Sequence, residues 1–244
     1  EFIILNLNYD IDEKEYHYFQ DMVNQRLKGK PVAYLTEKKF FWKHEFFICE
    51  KVLIPRPDTE IIIEQVLKIY KIKNKISFLD IGFGSGCILL SILKERKDFK
   101  ATGVDISSHA LKVCNINAYK LGVKNRVKLF KSDIDKFSNG KYDLIISNPP
   151  YIKNLDLKYL EKDVIKFEPK LALDGGLDGI SEIRKVIKKS SELIKNGGKL
   201  ILEIAYDQKE EVKQLLIKNS FYINSVVKDF AKNDRCIIST KIAK

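Results

Sequence analysis

Phe78-Leu79-Asp80-Ile81-Gly82-Phe83-Gly84-Ser85-Gly86 decides the fold. Residues 76–81 are a short apolar run of the kind that makes a buried strand, and residues 87–93 read as an apolar helix. The glycines at 82, 84 and 86 permit positive φ and let a ligand approach the backbone closely. Strand, glycine turn and helix in that order make one unit of a parallel α/β sheet, with the turn at the strand end where such sheets bind ligands. The spacing departs from the dinucleotide fingerprint, because the third glycine arrives one residue early and the acidic Asp80 precedes the first.

Working outward, residues 101–104 form a second strand that ends at Asp105, roughly 20 residues past the glycine turn. A carboxylate there can accept both ribose hydroxyls of an adenosine ligand, and it can also cap the helix predicted over 108–119. A third strand, 127–131, ends at Ser132-Asp133. Asp133 can accept from an adenine amine or serve as a turn residue. A fourth strand, 142–146, runs into Ser147-Asn148-Pro149-Pro150-Tyr151. The two prolines lack donors and fix their own φ, so the chain is rigid where it leaves the sheet. Asn148 offers an amide oxygen, Pro149 a carbonyl and Tyr151 an aromatic wall, a set that suits a planar substrate bearing an NH2 group. An Asn-Pro turn that does no more than end a strand accounts for the same residues.

Beyond this stretch, residues 152–179 read as a long loop carrying Phe167-Glu168-Pro169 and Asp174-Gly175-Gly176, and its place beside the proposed site makes it a lid. An amphipathic helix over 181–195 is expected to end at Asn196-Gly197-Gly198. A strand (199–205), a helix (208–218) and two more strands (223–227 and 236–241) follow. The alternation predicts an α/β fold, a doubly wound sheet closed by a final hairpin. On the N-terminal side, residues 1 to about 30 read as helical, with Tyr16, Phe19, Val23 and Leu27 at helical spacing, stopped by Gly29 and Pro31. Aromatic and β-branched residues from 34 to 54, interrupted at Lys43-His44-Glu45, predict a hairpin. In Ile54-Pro55-Arg56-Pro57-Asp58-Thr59-Glu60, Asp58 or Thr59 is expected to cap a helix over 61–70, and Arg56 sits on a stiff tether between two prolines. Residues 68–75 are basic and polar, as in a linker. The chain therefore divides into an N-terminal helix and hairpin segment (1–72) and a main domain (73–244).

A chain of 244 residues that is 45% hydrophobic and 32% charged has material for one sizeable core. No apolar run reaches membrane-spanning length, no signal-peptide pattern opens the chain, and the first residue, Glu1, suits a processed or truncated chain. The four cysteines (Cys49, Cys87, Cys114, Cys236) are scattered, which reads as reduced thiols in a cytoplasmic protein. Neither they nor His17, His44 and His109 have metal-ligand spacing, so no metal cofactor is expected. The net charge of +11 would suit a nucleic-acid or ribosomal partner, but the lysines are spread along the whole chain as a compositional bias would spread them.

The residues 80–86, Asp105 and Asn148-Pro149-Pro150-Tyr151 resemble the motifs of class I S-adenosylmethionine-dependent amino-methyltransferases, which have a seven-stranded Rossmann-like sheet. Leu53-Ile54-Pro55-Arg56-Pro57-Asp58-Thr59-Glu60 and Phe167-Glu168-Pro169 are similar to the release factor glutamine methyltransferases within that class. The resemblance runs from about Pro31 to the C-terminus. It implies S-adenosylmethionine as cofactor, held by Asp80, Gly82, Phe83, Gly84, Ser85, Gly86, Asp105, Ile106, Asp133, Ile134 and Asn148. It implies catalysis by Asn148, Pro149 and Tyr151 without a metal. Arg56 and residues 148–151 would bind the substrate, a glutamine in the Gly-Gly-Gln motif of class I peptide chain release factors. Two departures stand out: the family's N-terminal helical bundle is longer than the stretch before Pro31 here, and Ile134 replaces a frequent aromatic. Enzymes that methylate exocyclic amines of adenine or guanine in nucleic acid share the Asn-Pro-Pro-Tyr motif and form the alternative reading. A binding module without catalysis would require loss of Asn148 or the glycines, and these are intact.

Overall fold

A computed structural model describes residues 10–72 and 75–243. Positions 1–9, which open the expected N-terminal helix, and 73–74, in the expected linker, lie outside the described residues. The first described element is helix α1 (Glu13–Leu27), started by a reciprocal cap in which the Asp12 carboxylate accepts from Glu15 N and the Glu15 carboxylate accepts from Asp12 N. A short helix α2 (Val32–Leu35) leads to the hairpin of β1 (Lys38–Phe41) and β2 (His44–Phe47). Helix α3 (Glu60–Ile69) then precedes β3 (Ser77–Ile81), α4 (Cys87–Glu95), β4 (Lys100–Asp105), α5 (Ser108–Lys120), β5 (Val127–Lys131) and β6 (Tyr142–Ser147). After α6 (Lys162–Phe167) come α7 (Ser181–Leu193), β7 (Ile194–Glu203), α8 (Lys209–Lys218), β8 (Phe221–Lys228) and β9 (Asp234–Lys241).

The strands from β3 onward form one seven-stranded sheet in the order β5-β4-β3-β6-β7-β9-β8. Pairing is parallel from β5 to β7 and antiparallel where β9 inserts between β7 and β8. Period-two alternation divides the inner strands between two cores. Phe78, Leu144, Ile146 and Ile201 point to the face covered by α3, α4 and α5. Leu79, Ile145, Leu200 and Leu202 point to the face covered by α7 and α8. The fold is the doubly wound seven-stranded sheet expected, and the strand order reverses between β3 and β6, the ligand-binding point of such sheets.

The N-terminal segment shares the first of these cores, since Phe41, Phe46 and Ile62 belong to one buried cluster with Phe78 and Leu90. The hairpin turn is tighter than expected: Phe41 pairs with His44, leaving Trp42 and Lys43 at the tip. Trp42 takes a left-handed backbone (φ 57°) and is tied on both sides, its backbone N–H to Glu60 and its indole N–H to Glu95.

Helix α1 forms where a helix is expected, with no residue buried and with Tyr16, Phe19, Val23 and Leu27 exposed. Three expectations are corrected. Neither Asp58 nor Thr59 caps α3 through its side chain; a 3-10 turn (Pro57–Thr59) leads into the helix instead. Helix α7 ends at Leu193, and β7 already runs through Asn196-Gly197-Gly198, because Tyr142 pairs with Ile194 and Leu144 with Lys199, so the intervening residues bulge out. Finally, 152–179 is not an irregular loop. It contains a 3-10 stretch (Asn154–Tyr159), α6 and a second 3-10 turn (Lys170–Ala172), and it is cinched at its base where Ile152 N donates to Leu173 O and Gly175 N to Ile152 O.

Candidate active site

The carboxyl ends of β3, β4 and β6 open into a cavity of about 640 Å³, in the range that small ligands occupy. The glycine turn forms its floor. Gly82 (φ 76°) and Gly84 (φ 53°) take left-handed conformations, and a Cβ added to either would meet nothing within 4 Å, because both face the open cavity. A side chain there would fill the space a ligand needs. Gly86 lies behind the turn against Cys114 and Leu90, so it closes helix packing and does not line the cavity.

Asp105 stands across from the turn. Its Oδ2 accepts from Gly84 N at 2.9 Å and its Oδ1 from Ser107 N at 2.8 Å, so it braces the turn and still presents lone pairs to the cavity. The helix cap at α5 is the Ser107 hydroxyl, not Asp105. Burial raises the Asp105 pKa, against the pull of the Ser107 and Gly84 amides. Asp80 lies deeper, outside the cavity lining, with both carboxylate oxygens buried and without a hydrogen-bond partner. Burial, with the Asp105 charge as the second cause, pushes its pKa up to about 8. The Ser85 hydroxyl, on the lining, also has no partner. Phe83, Ile106, Asp133 and Ile134 complete this half of the cavity, with Asp133 also accepting from Asp135 N in its own turn.

The other half is built on the rigid exit from β6. Asn148, Pro149 and Pro150 line it, and the Asn148 amide donates from Nδ2 to the Thr59 hydroxyl at 3.1 Å. That bond leaves Oδ1 without a partner among the described residues. Tyr151 is not an open wall of the cavity. Its hydroxyl donates to Glu203 Oε1 at 3.2 Å at the end of β7, and burial, then the Glu203 charge, raises its pKa far above the ordinary phenol value. Arg56 lines the cavity and pairs with the buried Glu168, whose other oxygen accepts from Ile54 N at 3.3 Å.

Thr59, Glu168 and Glu203 were not singled out as site residues by sequence reasoning. Thr59 and Glu168 lay in motifs that had drawn attention for other reasons, as a helix start and as an aromatic-proline anchor. Glu203 had the weakest signal, an acidic residue closing the apolar run Leu200-Ile201-Leu202.

A glycine-floored cleft at the reversal point of this sheet, with a braced carboxylate on one side and an Asn-Pro-Pro exit on the other, defines a methyltransferase domain. The methyltransferase-domain family profile matches residues 72–240. The release factor glutamine methyltransferase of Clostridium acetobutylicum is 38% identical over 243 residues, spanning 98% of this chain and 85% of that protein. The protein of that description from Buchnera aphidicola subsp. Acyrthosiphon pisum is 37% identical, spanning 100% of this chain and 87% of its own length. A methyltransferase structure from Pyrococcus furiosus superposes with a TM-score of 0.60 at 18% identity, covering 92% of this chain and 98% of that one. The chain belongs to the release factor glutamine methyltransferase family.

Proposed function

We propose that the protein transfers a methyl group from S-adenosylmethionine to the side-chain amide nitrogen of the glutamine in the Gly-Gly-Gln motif of class I peptide chain release factors. The observation that carries this reading is Asn148 on the lining of the cavity that the glycine turn floors, its Nδ2 bonded to Thr59 and its Oδ1 without a partner among the described residues. The cofactor fits the residues present. Gly82 and Gly84 leave room for it, Asp105 has lone pairs that ribose hydroxyls would take, and Asp133 and Ile134 on the lining support an adenine site there. When bound, S-adenosylmethionine would supply an electrophilic methyl group on a sulfonium and leave as S-adenosylhomocysteine, the methylated amide giving up one N–H proton.

The chain's own work is to orient a poor nucleophile. The lone pair of an amide nitrogen is delocalised into its carbonyl. Asn148 Oδ1 and the Pro149 carbonyl would each accept one N–H of the glutamine amide, fixing its plane and easing the positive charge that develops as the nitrogen is methylated. The N-terminal segment, 10–72 in the described part, supplies Arg56 and Thr59 to the cavity wall and is proposed to contribute to docking of the protein substrate.

Two outcomes follow. Incubation with labelled S-adenosylmethionine should place label on the Gly-Gly-Gln peptide of a purified release factor, read by mass spectrometry. Transfer to duplex DNA or ribosomal RNA, with none to release factor, would establish the exocyclic-amine alternative instead. Asp105→Ala should weaken S-adenosylmethionine binding by about 1–3 kcal/mol, the cost of leaving buried hydroxyls and the Gly84 amide unpaired. Unchanged affinity by calorimetry would remove Asp105 from the cofactor site.

A further inference from the structure

The two prolines that stiffen the exit from β6 also strip it of ties. Each fixes its own φ, but neither carries an N–H, and ψ at both is left to turn. Rotation about ψ of Pro149 swings the carbonyl proposed to accept the substrate amide. Before this stretch the chain is fixed: Ser147 pairs with Ile81 of β3 and Leu202 of β7, and its hydroxyl donates to Ile81 O at 2.7 Å. The direction of residues 148–150 therefore depends on where the chain is next held, at Tyr151. The bond from the Tyr151 hydroxyl to Glu203 fixes the ring and leaves the backbone to be held separately.

Gln208 holds it. Its Nε2 donates to Tyr151 O and to Gly179 O, both at 2.9 Å, while its Oε1 accepts from Ala205 N at 3.0 Å. Two carbonyls on one side and an N–H on the other admit a single orientation of the amide. The residue is buried and stands at the start of α8, yet its side chain does not cap that helix. Two glycines let the backbones close around this point. A Cβ at Gly175 would meet Tyr151 Cα at 2.8 Å, and one at Gly179 would meet Tyr151 O at 2.8 Å and Gln208 Nε2 at 2.9 Å. Gly175 does not have a positive φ, so close approach to Tyr151 is what its missing side chain allows. One residue further on, Ile152 N donates to Leu173 O and Gly175 N to Ile152 O, so the junction is continuous.

We infer that Gln208 is a positioning residue for methyl transfer: with Gly175 packed against the same backbone, it fixes Tyr151 and so aims the Asn148 side chain and the Pro149 carbonyl at the substrate amide. The inference rests on the roles proposed above for Asn148 and Pro149 and extends them to a residue outside the cavity lining. Three bonds from one buried amide join the exit of β6, the end of the 152–179 segment and the exit of β7. Loss of the amide leaves both carbonyls unpaired, and ψ at Pro149 and Pro150 then absorbs any shift of Tyr151. A small displacement there costs rate, because an amide nitrogen reacts only when it is held in line with the methyl group. An amide that served the fold alone would lower the melting temperature and leave kcat per folded molecule unchanged.

The test combines kinetics with a measurement that needs no substrate. Gln208→Met keeps the length and removes all three bonds. Its kcat should fall at least ~10-fold, the scale of a displaced reacting group, with KM moving less than kcat and S-adenosylmethionine affinity unchanged. Gln208→Glu keeps the acceptor for Ala205 N but has at most one proton for two carbonyls, so it should lose rate in the same sense. Gly175→Ala reaches the junction from the opposite side and should give the same split between kcat and KM. Rates are taken per folded molecule, below the melting temperature of each variant. In 15N NMR of the wild type without substrate, the Gln208 carboxamide protons should be protected from exchange. A folded Gln208→Met protein with the wild-type kcat, a loss of cofactor affinity as large as the loss of rate, or ready exchange of those protons overturns the inference. If neither Gln208 variant folds, Gly175→Ala decides, and if none of the three folds the junction is structural and the inference falls. If the wild-type protein labels no release factor, the proposed function fails. The split is then read on whichever amine the protein does methylate, and with none the exchange measurement decides whether Gln208 holds Tyr151.

Discussion

Asn148→Ala is expected to lower methyl transfer at least ~100-fold in a protein that still folds and still binds S-adenosylmethionine, the scale for losing one well-placed polar group at a reacting centre. Alanine removes the acceptor and leaves one N–H of the substrate amide unpaired in a desolvated pocket. It also frees the Thr59 hydroxyl of the bond it accepts from Asn148 Nδ2. The fold should tolerate this, because the exit from β6 is shaped by Pro149 and Pro150 and the strand before it is held by β3 and β7. Asn148→Asp separates geometry from charge. Aspartate keeps an acceptor oxygen but cannot donate to Thr59, and it adds a negative charge near the buried Glu203. It should therefore also lose most of the activity, which a residue that only ends a strand would not, since aspartate suits turns as well as asparagine does. Single-turnover methylation of release factor, with melting curves for both variants, gives the comparison. Near-normal turnover in folded Asn148→Ala would return the stretch to a structural turn.

What the sequence made legible follows from which constraints are local. The strand–glycine–helix unit at 76–93 and the apolar run before Asn148 could be read because burial on both faces demands continuous hydrophobic residues, and the turns between them demand glycine or proline. Gly82, Gly84, Asp105 and Asn148 were legible for the same reason, since each closes such a run. Contacts between segments distant in sequence were not. Glu168 meets Arg56 and Ile54 across more than a hundred residues, and Glu203 meets Tyr151 only because β7 lies beside β6. At α1 the spacing of Tyr16, Phe19, Val23 and Leu27 marked a helix, and the helix forms with these residues exposed. Spacing shows that a helix has an apolar stripe, not what covers it. At the C-terminal end of α7, the Asn-Gly-Gly signature marked a bulge within β7, because strand pairing to β6 overrode the local preference for a helix end.

Arg56→Ala is expected to cost about 3 kcal/mol of stability, the lower end of the range for removing one partner of a buried ion pair. The low end applies because the two partners are unequally shielded: the Glu168 side chain is 1% exposed and the Arg56 side chain 38%. Without Arg56, the Glu168 carboxylate keeps only the long bond from Ile54 N to neutralise its burial. The pair joins the proline tether to the segment 152–179, whose Pro169 and Leu171 line the cavity. Its loss should loosen that part of the wall and raise KM for release factor along with lowering the melting temperature. A role in substrate contact alone predicts something different, a higher KM with unchanged melting. The double variant Arg56→Met, Glu168→Leu decides between strain and lost contact. Removing both charges leaves no buried charge unpaired, only the Ile54 N–H that Glu168 accepted, so the double variant should melt higher than Arg56→Ala alone. Strictly additive losses in that cycle would show that Arg56 and Glu168 do not act as a pair, and Arg56 would then belong to the substrate surface only.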